Sequence, residues 1–273
     1  MTDTDTRMPL SDLLSSMTPI DGGARVHITP DWLQGRAVYG GLSVALSLQA
    51  TQNVIGDGLP PLRSVQTSFI GPATSEVDIY PQVVRQGKST AFVTVDMYSD
   101  DKLAARTTFC FGKARESRLA IANHDAPAVP SVDACGAFFE GRDGRNAGPN
   151  FAQHFNSRLA DGGLPVAAAE QPEFTVWLQH KDPASRESLV GLTALADALP
   201  PAAMACFGER APISTMTWMF DVLQAAPSTV DGWWLCRSSA EYTEDGYSAQ
   251  AMTIWNTVGE LVVIGRQNIA IFY

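Results

Sequence analysis

The chain has 273 residues, of which 45% are hydrophobic and 18% charged, and its formal net charge at pH 7 is −10. This composition excludes an intrinsically disordered protein, and the length allows a substantial core in one large domain or two smaller ones. The negative charge argues against a nucleic-acid partner, because nucleic-acid binding requires a basic surface.

The sequence lacks the features of a membrane, secreted or metal-binding protein. No stretch of about 18 apolar residues is present, so we expect no membrane insertion. The first residues, MTDTDTRMPLSDLL, lack the apolar centre of a signal peptide. The four cysteines form no C-x-x-C pair, which indicates reduced thiols and a cytoplasmic protein. The four histidines lack the spacing of metal ligands, so we expect neither a metal nor a cofactor.

Residues 37–56 predict a helix that is buried on all sides, because the segment AVYGGLSVALSLQATQNVIG contains no charged residue and many small ones. Strand-like segments rich in β-branched and aromatic residues follow it. They are RSVQTSFI, SEVDIYPQVVR, AFVTVDMYS and LAARTTFCF. An antiparallel sheet wrapped around the helix would explain why the helix has no polar face.

The same order of a helix and then strands occurs again in the second half of the chain. Residues 185–202 predict a second small-residue helix, ended by a Pro-Pro pair. The strand-like segments after it are STMTWMFDVL, GWWLCRSSAEYT, GYSAQAMTIWN and ELVVIGRQNIAIFY. We therefore predict an N-terminal unit over residues 1–113, a linker over 114–150 and a C-terminal unit over 151–273, whose two sheets pair edge to edge.

The tetrapeptide GKST at residues 87–90 matches the end of a nucleotide-phosphate loop. Such a loop needs a second glycine five residues before Gly87, and that position is Gln82. The loop must also open a helix, whereas the residues that follow Thr90 are typical of a strand. The sequence therefore excludes a nucleotide-phosphate loop.

These segments, in this order and spacing, resemble the type II (TesB-like) acyl-CoA thioesterases, from about Leu13 to Tyr273. The resemblance implies an α+β double hot-dog fold, in which two tandem helix-plus-sheet units form one continuous sheet around two central helices. It also implies hydrolysis of an acyl-CoA to a carboxylic acid and coenzyme A, and a homodimer or larger oligomer. The motifs that carry it are VYGGLSVALSLQA, RSVQTSFIGPA, VVRQGKSTAFVTVDMY, LTALADALPPA, STMTWMFDVLQAAP and GELVVIGRQNIAIF. In the family's R-x-G-R-S hairpin, Lys88 replaces the usual arginine.

Asp197 is the only charged residue between Ser188 and Leu199. A buried carboxylate is costly unless it is hydrogen-bonded, so one interpretation is a functional group. The other is that Asp197 points to solvent at the helix end, although a carboxylate there is disfavoured by the helix dipole. The residues alone leave both open. The resemblance implies that Asp197 is the catalytic aspartate.

Thr215 and Gln267 match the family's active-site threonine and glutamine. From the residues alone, each could be an ordinary strand residue, although Gln267 is flanked by apolar residues and should be partly buried with hydrogen-bond partners. A shift of the alignment would replace Thr215 by Ser214 or Thr217. In a regular strand, Thr217 keeps the face of Thr215 and Ser214 does not.

Thioester hydrolysis needs an activated nucleophile and donors for the oxyanion. Asp197 as general base, with Thr215 and Gln267 positioning a water, would supply the first. Backbone N–H groups near Gly40 or Gly41 would supply the second, although these glycines could equally serve close packing. Direct attack by Asp197 through an anhydride stays open.

Alignment of the two halves predicts one active site per chain. GGLSVALSL aligned with VGLTALADAL places Ser47 opposite Asp197. KLAARTTFCF aligned with ELVVIGRQNI places Phe109 opposite Gln267. The first half therefore lacks both the acid and the amide.

Two other functions are weighed against hydrolysis. Hot-dog hydratases and dehydratases need a histidine near a helix start, and the nearest one here, His180, is predicted to be a surface residue. A catalytically silent acyl-CoA-binding protein is the second. The candidates for the acyl groove are Trp218, Met219, Phe220, Trp233 and Trp234, and those for the coenzyme A phosphates are Arg36, Arg63, Arg85 and Lys88.

Overall fold

The computed structural model describes residues 7–56, 58–141 and 145–273. The helices are α1 (Leu10–Ser15), α2 (Gly40–Ile55) and α3 (Leu189–Ala196). The strands before the predicted linker are β1 (Thr18–Ile20), β2 (Gly23–His27), β3 (Leu33–Gln34), β4 (Ala37–Val38), β5 (Leu62–Phe69), β6 (Glu76–Gln86), β7 (Thr90–Ser99) and β8 (Lys102–Gly112). The later strands are β9 (Gly136–Ala137), β10 (Phe155–Gly162), β11 (Glu173–His180), β12 (Ile213–Val222), β13 (Trp234–Glu244), β14 (Tyr247–Asn256) and β15 (Leu261–Ile271).

Among the described residues, 13 strands form one continuous sheet in the order β1-β2-β6-β7-β8-β5-β12-β15-β14-β13-β11-β10-β9. The two halves meet where β5 pairs with β12 in antiparallel register, with Val65 opposite Phe220. The order of strands on one side of this join mirrors the order on the other. The predicted double hot-dog fold is confirmed.

The helices α2 and α3 lie on the inner face of the sheet, and the start of α2 meets the end of α3. The hydroxyl of Tyr39, just before α2, donates to the carbonyl of Ala194 at 2.6 Å. The buried hydroxyls of Ser47 and Thr51 donate to carbonyls one turn earlier, so α2 buries no unsatisfied group there. No helix in the described ranges is long and apolar enough to cross a bilayer.

Helix α3 is shorter than the predicted helix over residues 185–202. Its start is set by Ser188, whose hydroxyl accepts from the N–H of Gly191 at 2.9 Å. The chain leaves the helix at Asp197, where φ is −97° and ψ is 8°. The carboxylate of Asp197 therefore extends from the helix end.

The strands β10 and β11 were not among the predicted segments. Nearly every residue of β11 is buried, so the strand lacks the alternation that identifies a half-exposed strand. Residues 124–135 of the predicted linker cover its outer face, where the indole N–H of Trp177 donates to the carbonyl of Pro130 at 3.1 Å. On the nearby strand β14, the indole N–H of Trp255 donates to the carbonyl of His124 at 2.8 Å.

The GKST tetrapeptide forms the turn between β6 and β7. The N–H of Gly87 donates to the carbonyl of Thr90 at 2.8 Å, and Thr90 begins β7. The segment is therefore a β-hairpin turn and opens no helix.

We predict that Phe109→Gln lowers the free energy of unfolding by about 3 kcal/mol, because a buried ring is replaced by an unpartnered amide. Phe109 is 0% exposed and lies between Val65 of β5 and Val93 of β7. The matched control is Phe92→Gln on β7, where the ring is 40% exposed. This control should change the free energy by less than about 0.5 kcal/mol. Equal effects in urea denaturation would contradict the prediction.

Candidate functional site

Asp197 follows the last residue of α3 and lies against the first turn of α2. Its carboxylate accepts hydrogen bonds from the backbone N–H of Gly41 and from the side-chain amide of Gln267. A methyl group on Gly40 would lie 2.6 Å from Oδ2 of Asp197, so only glycine allows this approach. The carboxylate thus joins the end of one central helix to the start of the other.

Burial raises the pKa of Asp197 to about 7, although the hydrogen bonds from Gln267 and Gly41 act in the opposite direction. A carboxyl group with this pKa exists in both protonation states near neutral pH. It can therefore accept a proton and give it back, which is what a general base must do.

A chain of hydrogen bonds fixes the amide of Gln267, which is 5% exposed. The backbone N–H of Ala202 donates to Oε1 of Gln250 at 2.8 Å. The Nε2 group of Gln250 donates to Oε1 of Gln267 at 2.7 Å, and Nε2 of Gln267 donates to Asp197. Sequence reasoning missed Gln250, whose only signal was an amide at an inward position of its strand.

A β-bulge decides which threonine faces the site. Thr215 lies opposite Ile269 on β15, whereas Thr217 lies opposite Asn268, because the register between the two strands shifts at Met216. Directly opposite residues share a face of the sheet, so Thr215 faces inward with Ile269 and Thr217 faces outward. The expectation that the two threonines share a face is wrong, because the extra residue changes the alternation.

Two cavities meet at Asp197. The first, which we call the hairpin cavity, measures about 430 Å³ and lies beneath the β3–β4 hairpin. The second, the phenylalanine cavity, measures about 560 Å³. Both are lined by Gln34, Asp197, Ile213 and Thr215, and Gln267 also lines the second. In the described part of the chain the Thr215 hydroxyl has no hydrogen-bond partner, so it can bind a molecule placed there.

The structure brings all five sequence-predicted site residues together. Gly40, Thr215 and Gln267 line the cavities that meet at Asp197, and the N–H of Gly41 donates to the carboxylate. At the aligned positions of the first half, Ser47 bonds the carbonyl of its own helix and Phe109 is core.

The expectation that His180 lies at the surface is wrong. It is 1% exposed, and its Nε2 lies 2.8 Å from the carbonyl oxygen of Gly191 in the first turn of α3. Burial lowers the pKa of His180 to about 4, so the imidazole is neutral. Because α3 has eight residues at about 1.5 Å each, His180 lies a helix length from Asp197, and it lines neither cavity.

The aromatic residues proposed for the groove lie elsewhere. Trp218, Phe220 and Trp234 are core residues, and Met219 is exposed on the outer face of the sheet. Neither they nor Trp233 line the two cavities. The walls of the phenylalanine cavity come largely from the predicted linker and the loop between α3 and β12, which carry no periodic pattern. Those of the hairpin cavity come from the β3–β4 hairpin, the start of α2 and the residues that follow β5.

Of the four cations proposed for phosphate binding, Arg36 is next to the site. It lies at the tip of the β3–β4 hairpin, between Gln34 and Ala37 of the hairpin cavity. Arg63 donates to the carbonyl of Gly112, at the end of β8 opposite to the cavity. Arg85 and Lys88 belong to the β6–β7 hairpin, which pairs with that same end of β8.

Two family models match the chain. They describe the acyl-CoA thioesterase N-terminal domain, over residues 28–112, and the acyl-CoA thioesterase C-terminal domain, over residues 125–271. No curated protein matches.

Solved structures share the fold over almost the whole chain. A hot-dog protein of unknown function from Alicyclobacillus acidocaldarius is 20% identical, with 98% of this chain and 99% of that one covered and a TM-score of 0.85. A candidate thioesterase II from Thermobifida fusca is 19% identical, with 98% and 99% covered and a TM-score of 0.79. The acyl-CoA thioesterase II TesB2 from Mycobacterium marinum is 15% identical, with 97% and 98% covered and a TM-score of 0.72.

Proposed function

The chain belongs to the acyl-CoA thioesterase family, and from this premise we propose that it hydrolyses an acyl-CoA to a carboxylic acid and coenzyme A. The observation that carries the proposal is the position of Asp197, a carboxyl group with a pKa of about 7 where two cavities meet. A thioester has a reactive carbonyl between two long arms. A substrate with one arm in each cavity would place that carbonyl beside Asp197.

In the proposed reaction, the ionised Asp197 removes a proton from a water molecule as its oxygen attacks the thioester carbonyl. The tetrahedral intermediate then releases the thiolate, which takes the proton back from Asp197 and leaves as the thiol of coenzyme A. The amide of Gln267 holds the carboxylate in place. In this proposal the free hydroxyl of Thr215, which lines both cavities, holds the water.

The oxyanion would be bound at the start of α2. The N–H groups in the first turn of a helix have no partners within the helix, and the helix dipole favours negative charge there. The N–H of Gly41 donates to Asp197, whereas Gly40 lines the hairpin cavity. We therefore assign the oxyanion contact to the N–H of Gly40, with Gly41 positioning the base.

Three further properties stay predictions. They are the unit boundaries at residues 113 and 150, the homodimer or larger oligomer, and the cytoplasmic location. Light scattering tests the second, and a single 29.3 kDa species at micromolar concentration would contradict it.

Asp197→Asn should lower thioester hydrolysis by roughly 100-fold or more, because the amide cannot accept the proton from water. In the wild type, kcat/KM should rise with pH up to about pH 7 and then level off, since the base acts when ionised and its raised pKa lies there. Thiol release measured across pH tests both points. A folded Asn variant with wild-type activity, or a wild-type profile that falls through pH 7, would contradict the assignment.

Thr215→Val should lower kcat by roughly 10-fold or more, because a methyl group replaces the hydroxyl that holds the water. The matched control is Thr217→Val, which makes the same change on the outer face of the same strand. The control should retain full activity. If Thr217→Val reduces kcat and Thr215→Val does not, then Thr217 faces the site and the assignment of Thr215 is wrong.

A further inference from the structure

We propose that the acyl group of the substrate occupies the phenylalanine cavity and that coenzyme A enters through the hairpin cavity. The placement rests on the proposed function and goes beyond it, because it names the acyl class: an apolar group larger than acetyl.

The walls of the phenylalanine cavity suit an apolar ligand. Three aromatic rings and several aliphatic side chains line it, and burial of apolar surface against them is favourable by about 25 cal/mol per Å². One of these rings, Phe151, stacks on Tyr39 with centroids 3.8 Å apart, which fixes the wall against the start of α2. The volume of about 560 Å³ lies within the range of small-molecule pockets. The apolar side chains that define it are Phe138, Phe139, Phe151, Leu164, Leu199 and Met204.

The walls of the hairpin cavity suit the polar arm. Asp197 is the only charged side chain among its described lining residues, and Gln34, Ser43 and Ser214 offer hydrogen-bonding groups for pantetheine amides. Arg36, exposed at the tip of the β3–β4 hairpin, has no hydrogen-bond or ion-pair partner among the described residues, so its guanidinium is available for a phosphate.

The phenylalanine cavity also has a cation, the exposed Arg210. The same cavity is also lined by Glu140, which is exposed as well and would repel a phosphate. Arg36 and Arg210 therefore distinguish the two possible routes. A phosphate contact with Arg36 indicates that coenzyme A enters through the hairpin cavity, and a contact with Arg210 indicates entry through the phenylalanine cavity.

Binding of free coenzyme A by calorimetry separates the two entrances without any need for turnover. Arg36→Ala should weaken binding by about fivefold or more, because a charge-assisted hydrogen bond to phosphate is lost. Arg210→Ala, the matched variant, should change the dissociation constant by less than about twofold. The reverse result would overturn the placement.

Substitutions of Met204 test the acyl site, since this side chain lines only the phenylalanine cavity of the two. The wild type should prefer an acyl group longer than acetyl. Met204→Ala enlarges the cavity and should raise the ratio of kcat/KM for long to short acyl-CoAs by roughly 10-fold, because one methylene in an apolar pocket changes kcat/KM by about that factor. Met204→Phe should lower the same ratio. Melting temperatures check that both variants fold.

The experiments distinguish a wrong assignment of the two cavities from a wrong proposal of thioester hydrolysis. If acyl-CoAs are hydrolysed but neither Arg36 nor Met204 changes binding or preference, the placement is wrong and the function stands. If no acyl-CoA is hydrolysed while Arg36→Ala still weakens coenzyme A binding, the entrance stands and the protein is an acyl-CoA-binding protein instead.

Gln250 holds Gln267 in one orientation, and we infer that it is a positioning residue for the reaction. The backbone N–H of Ala202 can only donate, so the atom of Gln250 that faces it must be the oxygen. The amide of Gln250 must then donate to the oxygen of Gln267, whose own amide is left to donate to Asp197. One backbone group thus sets the direction of every hydrogen bond as far as the carboxylate, and a donor at Asp197 favours its ionised form.

Gln250→Glu keeps the size of the side chain and, in its ionised form, offers only acceptors. Gln267 must then turn its amide towards residue 250 and its oxygen towards Asp197, which can only satisfy that oxygen when protonated. The acid limb of the kcat–pH profile should therefore move up by about one unit or more, with at least a roughly fivefold loss of kcat at pH 7, because the ionised fraction of Asp197 there falls from about one half to about one tenth.

A double-mutant cycle with Gln267→Ala separates this mechanism from the long-range effect of the new charge. If Gln267 transmits the effect, Gln250→Glu should shift the limb little in the Gln267→Ala background. An equal shift in both backgrounds, or an unshifted limb in the Gln250→Glu single variant with only a lower melting temperature, would overturn the positioning role.

Discussion

The site depends on one buried carboxylate that lies where the two central helices meet. Removal of Asp197 from water is unfavourable, and the compensating hydrogen bonds come from opposite halves of the chain, through Gly41 and Gln267. The two donors are not enough to restore an ordinary pKa, and the residual cost of ionisation is what makes this group basic near neutral pH. Glycine at position 40 and the close contact of Tyr39 with Ala194 follow from the same constraint.

The two ends of the helix pair differ chemically although the halves share an architecture. At one end, the N–H of Gly41 donates to a carboxylate. At the other, the N–H of Gly191, its aligned counterpart, donates to the hydroxyl of Ser188 within its own helix start. The duplicated fold therefore provides two equivalent positions, and local side chains determine that only one of them holds an acid.

The sequence predicted the strands in both halves of the sheet well where one face is buried and the other is not. The segment RSVQTSFI, for example, lies within one residue of β5 at each end. Prediction from the sequence failed at β11, because a strand covered on both faces shows no alternation of polar and apolar residues. For the same reason, His180 on β11 was wrongly predicted to be exposed. The alternation rule also failed locally at Thr215 and Thr217, since a bulge depends on the partner strand and leaves no mark in its own sequence. The role of Gln250 could not be predicted from the sequence, because it depends on contacts with Ala202 and Gln267, which are distant along the chain.

The phenylalanine cavity takes part of its wall from residues 138–141 and 147–151, outside the long strands of the sheet. The position of a side chain on a strand is fixed by the pairing register, so a substitution that disturbs the register also disturbs both neighbouring strands. Phe138, Phe139 and Phe151 lie outside that ladder, whereas Thr215 and Gln267 lie within it. Substitutions outside the ladder can therefore change the shape of this cavity while the carboxylate and its supports keep their positions.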